Sequence, residues 1–165
     1  MAPDAPIDLE VLLRRQHGER YRAVIVLGRP AAGKSRYALA LAARTGATYL
    51  DVLALYCQRP ELAEGISPLS AAALLDQIRQ DAEATAPDGA CLVDNADFLL
   101  NTWPGSDRRS FADMVLGLPD GRCCTVLALF LQDDGAFGGL EERPQMRAAH
   151  GAPRVLRFED LAEIR

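Results

Sequence analysis

The sequence predicts an α/β fold in which a parallel five-stranded sheet is flanked by helices, and three observations predict it. Short apolar runs of strand length recur along the chain, at 24–27, 48–53, 90–93, 123–131 and 154–158. Helix-forming stretches separate the first three, and a strand, helix, strand order joins neighbours that run parallel. Between the first run and its helix stands Gly28-Arg29-Pro30-Ala31-Ala32-Gly33-Lys34-Ser35, which has the form G-x-x-x-x-G-K-[ST] in the strand-before, helix-after setting that this motif requires.

Residues 7–17 alternate as a short amphipathic helix, with Asp8 placed to cap its start. Gly18-Glu19-Arg20-Tyr21-Arg22 then makes a basic lead-in, which suits a solvated helix end or a contact to a partner or to nucleic acid. After the motif, Arg36 to Ala42 continues a helix that Thr45-Gly46 ends, and 48–53 reads as the second strand. Residues 54–66 are ambiguous, and Pro60 breaks any long helix there. Ser67-Pro68 marks the next helix start, with an Ala/Leu-rich body from Leu69 to about Glu83. Ala86-Pro87-Asp88-Gly89 turns the chain into the third strand. Phe98-Leu99-Leu100-Asn101-Thr102 leaves that strand, Trp103-Pro104-Gly105 is a turn, and Ser106 or Asp107 caps a helix to about Leu118. Pro119-Asp120-Gly121 then leads into 123–131, the most apolar run and a central strand buried on both faces. Residues 133–153 form a long Gly-, Pro- and charge-rich excursion with Phe137 and Met146 as isolated apolar anchors, the type of segment that is usually functional or mobile. A short strand at 154–158 and a helical turn or two at 159–164 complete the order.

At 165 residues, 49% hydrophobic and 25% charged, the composition suits one soluble domain with a core of its own. A net charge of −5 argues against coating nucleic acid by bulk electrostatics. No apolar run approaches a bilayer span, and Met1-Ala2-Pro3-Asp4-Ala5-Pro6 lacks the features of a signal peptide, so a cytoplasmic protein with no membrane contact is expected. The four cysteines, Cys57, Cys91, Cys123 and Cys124, lie in or beside apolar runs and read as buried, reduced core thiols.

The chemistry concentrates in the motif and in two strand ends. A phosphate chain needs convergent N–H donors and little steric cover, which a glycine-bearing loop and a helix N-terminus supply together. Residues 28–36, Gly28, Arg29, Pro30, Ala31, Ala32, Gly33, Lys34, Ser35 and Arg36, would therefore bind ATP, Lys34 reaching the β- and γ-phosphates and the Ser35 hydroxyl holding Mg²⁺. Of the 18 basic residues 17 are Arg, and Lys34 is the one Lys, kept where a compact ammonium is needed and a planar fork would not fit. Leu92-Val93-Asp94 has the form of a Walker B strand, with Asp94 as the second Mg²⁺ group at the strand's C-terminal end. Asn95 follows, where many ATPases have Glu. An amide takes no proton, so three readings stay open: Asn95 only positions the water, Asp97 supplies the base, or hydrolysis is slow. Gln132 ends the strand expected between the two Walker strands and is either a γ-phosphate sensor or simply a polar strand end. Arg143 or Arg147 would serve as an arginine finger in trans, against the alternative of solvated surface residues.

Five short strands around a P-loop, with the second Walker strand third in sequence, resemble the core of an AAA+ ATPase without its C-terminal helical lid. Gly28 to Ser35, the short second unit and Leu92-Val93-Asp94-Asn95 further resemble the BrxF family, the small P-loop subunits of some BREX phage-defence systems. The resemblance implies a P-loop NTPase domain over 23–165 behind the helix and lead-in of 1–22. It also implies a nucleotide-binding subunit that works with methyltransferase, phosphatase-like and helicase partners, or as a self-oligomer, and meets nucleic acid through those partners. Weak hydrolysis, stimulated by assembly, is the expectation. Two further readings stand beside it. One is a nucleotide- or shikimate-type small-molecule kinase with 133–153 as its acceptor lid and Asp51 and Arg59 toward the acceptor. The other is an assembly adaptor that holds nucleotide without turnover.

Overall fold

The computed structural model describes residues 5–65, 69–117, 125–143 and 146–164. Five parallel strands form one sheet in the order β2-β3-β4-β1-β5, built from β1 (Ala23–Gly28), β2 (Thr48–Asp51), β3 (Ala90–Asp94), β4 (Val126–Gln132) and β5 (Val155–Arg157). The α/β class and the all-parallel five-stranded sheet are as the sequence predicts. β4 lies between β1 and β3, so the ends of the first, third and fourth strands are neighbours.

Residues alternate between the two faces of a strand, and here both faces are covered. Ile25, Leu27, Val93, Leu129 and Leu131 point into a core shared with α3 (Val52–Gln58), α5 (Ala71–Thr85) and α7 (Gly105–Leu116). Val24, Val26, Leu92, Ala128 and Phe130 point into a second core with α1 (Leu9–Gln16) and α2 (Lys34–Thr45). Burial on both faces explains why these runs are continuously apolar rather than alternating. Asp8 caps α1 by accepting from Val11 N at 3.1 Å, and Leu9, Leu12 and Leu13 seat that helix on the sheet.

Several local expectations are corrected. The second strand stops at Asp51, because the Asp51 carboxylate accepts from Ala54 N at 2.9 Å and starts α3 at Val52, so Val52 and Leu53 are helical. The ambiguous stretch is this helix, a break at Arg59, and α4 (Pro60–Glu64) with Pro at its first position. α5 begins at Ala71 with Ser70 as its cap; the expected start at Ser67-Pro68 lies outside the described residues. Asp97–Leu100 forms a short helix, α6. α7 begins at Gly105 after Pro104, with no side-chain cap, so Ser106 and Asp107 lie within its first turn. It ends at Leu116; Leu118, the turn at 119–121, Cys123 and Cys124 lie outside the described residues. Cys91 is buried as expected, whereas Cys57 is exposed, because it falls on the outer side of α3 rather than on a strand. In place of closing helical turns there is a single 3-10 turn, Phe158–Asp160, after which Leu161 pairs with Ile7. No described helix is long and apolar enough to cross a membrane.

The described residues of the 133–153 excursion are tied down. Phe137, Leu140 and Met146 are buried in the first core, and Arg108 pairs with Asp134 at 2.9 Å. Beyond it, the buried Arg154 guanidinium donates to the carbonyls of Ala23 and Leu116 at 3.0 and 2.7 Å, and burial pushes it down to about 10.

Candidate phosphate and metal site

β1 ends at Gly28 and α2 begins at Lys34, and the loop between them is shaped by close approach and by left-handed backbone. A Cβ on Gly28 would lie 2.8 Å from the Phe158 Cβ and 3.0 Å from the Lys34 Cδ, so only glycine lets the lysine stem cross here. Gly33 caps α2 at φ 96°, with nothing within 4 Å of where its side chain would be. Ala31 (φ 59°) and Asn95 (φ 57°) are the two non-glycine residues of positive φ among the described residues, and both line one cavity. The left-handed region costs a Cβ-bearing residue on the order of 1 kcal/mol, and such strain clusters at functional sites.

That cavity, of about 400 Å³, is lined by residues 30–36 from the loop and the start of α2, and by Asp94, Asn95, Asp97 and Gln132 from the ends of β3 and β4. Ten of the twelve residues expected at the site therefore share one opening. Gly28 and Arg29 do not line it; their carbonyls accept from the Lys34 ammonium at 3.1 and 2.8 Å. An ammonium has three donors, and these two bonds hold a lysine that is 8% exposed against its own loop. The N–H groups of the first turn of α2, from Lys34 onward, have no carbonyl within their own helix and mark its positive end.

Asp94 is 2% exposed, and its Oδ2 accepts from the Tyr49 hydroxyl at 2.8 Å. The Ser35 side chain stands beside the same phenol. Burial and the Asp94 carboxylate push the Tyr49 hydroxyl well above the usual phenol range. Asp51 stands opposite Asp94 in the β2–β3 register and accepts from the Asn95 amide at 3.0 Å, so that amide is engaged sideways. Asp97 opens α6 and accepts from Gln132 N at 2.8 Å; burial, with Asp94 and Asp134 nearby, raises its carboxyl, while the Gln132 N–H and Lys34 oppose the rise. Arg143 and Arg147 are spent within the chain, on Asp113 at 2.8 Å and on the Gly151 carbonyl at 2.9 Å.

Tyr49 is the residue that sequence reasoning missed. It sits in a short strand with no motif around it, and only the pairing of β2 with β3 brings it to Asp94. Asp51 was named only on the acceptor side of the kinase reading, because the strand expected over 48–53 hid that it ends its strand in acid as Asp94 does. Among the described residues no group of three or more His, Cys, Asp or Glu side chains could hold a metal ion, so a cation here would draw on one carboxylate, a hydroxyl and oxygens of a ligand. No model of a known protein family matches the chain, and no curated protein matches it.

Proposed function

We propose that this chain is a Mg-ATP-binding P-loop NTPase with an AAA+-like core, a weak or partner-stimulated ATPase that acts as a regulatory switch. The observation that carries the reading is the single cavity onto which the G-x-x-x-x-G-K-S loop, Asp94 and Gln132 all open. The sheet order supports it too, because β4 between β1 and β3 sets Gln132 beside the loop's first glycine in the register.

The residues present suit a triphosphate with its cation. The first turn of α2 offers N–H donors, and the open space at Gly33 lets a phosphate approach the backbone. Lys34 would exchange the Gly28 and Arg29 carbonyls for phosphate oxygens, a stronger, charge-assisted pairing. Ser35 and Asp94 would hold Mg²⁺, and the cation would supply charge neutralisation between the outer phosphates. With the Asn95 amide committed to Asp51, Asp97 is the carboxylate left facing the cavity, and its raised affinity for a proton suits a base for the attacking water. Gln132 would read the terminal phosphate from the end of β4, beside the loop.

The resemblance to the BrxF family extends the reading to a cytoplasmic subunit of a phage-defence complex, with protein partners and with nucleic acid met through them. The kinase reading loses support, since the segment it needs as a lid is anchored by Phe137, Leu140 and Met146. Isothermal titration with a non-hydrolysable ATP analogue tests the core of the proposal. Lys34→Ala is expected to weaken uptake on the order of 100-fold, and undiminished uptake by a folded variant overturns it.

A further inference from the structure

We propose that Tyr49 is a positioning residue for the divalent cation, orienting the Asp94 carboxylate beside Ser35 so that its free oxygen is offered to the cavity; this rests on the Mg-nucleotide reading of the site. The Tyr49 proton goes to Oδ2 of Asp94 at 2.8 Å, which leaves Oδ1 for a further partner. The Ser35 side chain stands beside the same phenol. Ser35 and Asp94 both line the cavity, whereas Tyr49 does not. The phenol therefore acts from behind, through the carboxylate it holds.

Its ring is fixed for this task. Tyr49 packs against the second core beside α2, and β2 is locked to β3 from Thr48↔Cys91 to Asp51↔Asp94. The carboxylate of Asp51, two residues on, is engaged by Ala54 N and the Asn95 amide. Neither end of this short strand can shift without breaking one of these bonds, so the hydroxyl is delivered to one place. A metal site preorganised in this way binds tighter than one whose groups must first be oriented.

Tyr49→Phe keeps the ring and deletes the bond to Asp94. Mn²⁺ serves as the probe, titrated against the full chain with saturating non-hydrolysable ATP analogue and followed by loss of the free-ion electron paramagnetic resonance signal. The expected result is about tenfold weaker Mn²⁺ binding, the scale of one hydrogen bond to a charged group, with metal-free analogue affinity held near wild type and a cooperative melting transition that shows the variant folded. Unchanged or tighter Mn²⁺ binding overturns the inference, as does an equal loss of metal-free affinity, since either outcome means that Tyr49 does not act through the cation. The two levels separate cleanly. A wild-type chain that takes up no nucleotide sinks the functional reading and this one with it, whereas normal uptake with a cation-indifferent Tyr49→Phe sinks only the role of Tyr49.

Discussion

Two glycine-bearing segments leave the same edge of the sheet, residues 28–33 after β1 and residues 133–153 after β4, and they use their polar groups in opposite ways. In the short loop the Gly28 and Arg29 carbonyls are lent to Lys34, and the adjoining first turn of α2 leaves its N–H groups facing an open cavity. In the long excursion nearly everything named is committed. Arg109 donates to the Gly138 carbonyl at 2.7 Å, Arg143 pairs with Asp113, Arg157 with Asp133 and Glu141, and the Met146 carbonyl accepts from Arg154 N at 2.8 Å. Phe137 and Leu140 are buried beneath these bonds. Glycine content and charge thus fail to separate a site from a strap. What separates them is whether the polar groups open onto a cavity, as Lys34, Ser35 and the first turn of α2 do, or are closed against the protein's own side chains.

Three substitutions would break or sharpen that contrast. Phe137→Ala should have the largest effect, because Phe137 is 2% exposed in the first core and removing a buried phenyl costs about 3–5 kcal/mol. Denaturant unfolding reads the loss, and nucleotide uptake per folded molecule should stay at the wild-type level; a selective loss of uptake would show that the strap is part of the site. Asp97→Asn should have a smaller effect, of opposite sign. Burial raises the Asp97 carboxyl in the folded state, so its favourable protonated form is fully present below the unfolded value and is lost as pH rises through the folded one. The amide still accepts from Gln132 N without carrying a charge. The variant should therefore be more stable than wild type near neutral pH, with the difference shrinking toward acid, and its phosphate release should fall; melting curves across pH check the first outcome. Arg143→Ala should matter least. Its pair with Asp113 is more than a third exposed on both sides, and such pairs contribute about 1 kcal/mol or less. Phosphate release should be unchanged at every protein concentration, whereas a loss confined to high concentration would mark Arg143 as a group that reaches a neighbouring copy.

Much of the fold was legible in the chain because it is written in local chemistry. Ile25 and Leu129 belong to runs apolar enough for burial on both faces, Asp8 precedes an amphipathic stretch it can cap, and Gly46 ends a helix in a left-handed turn. The misreadings lie where two local signals compete. At Val52 and Leu53, an apolar continuation of the strand lost to the Asp51 cap. At Ser106 and Asp107, good capping residues lost to Pro104, whose backbone had already set the helix start. Phe137 and Met146 were recognised as anchors in a segment otherwise expected to be functional or mobile, and their burial is what holds it.

By itself the sequence determined the loop from Gly28 to Ser35, the acid at the end of the third strand and the parallel order, since each follows from neighbours along the chain. Only the tertiary structure decided that the Tyr49 hydroxyl lies between Ser35 and Asp94, that Asp51 takes the Asn95 amide, and that Arg143 and Arg154 are held within the fold. These contacts join residues 14 to 131 positions apart, and nothing in a linear pattern records which strand will lie beside which.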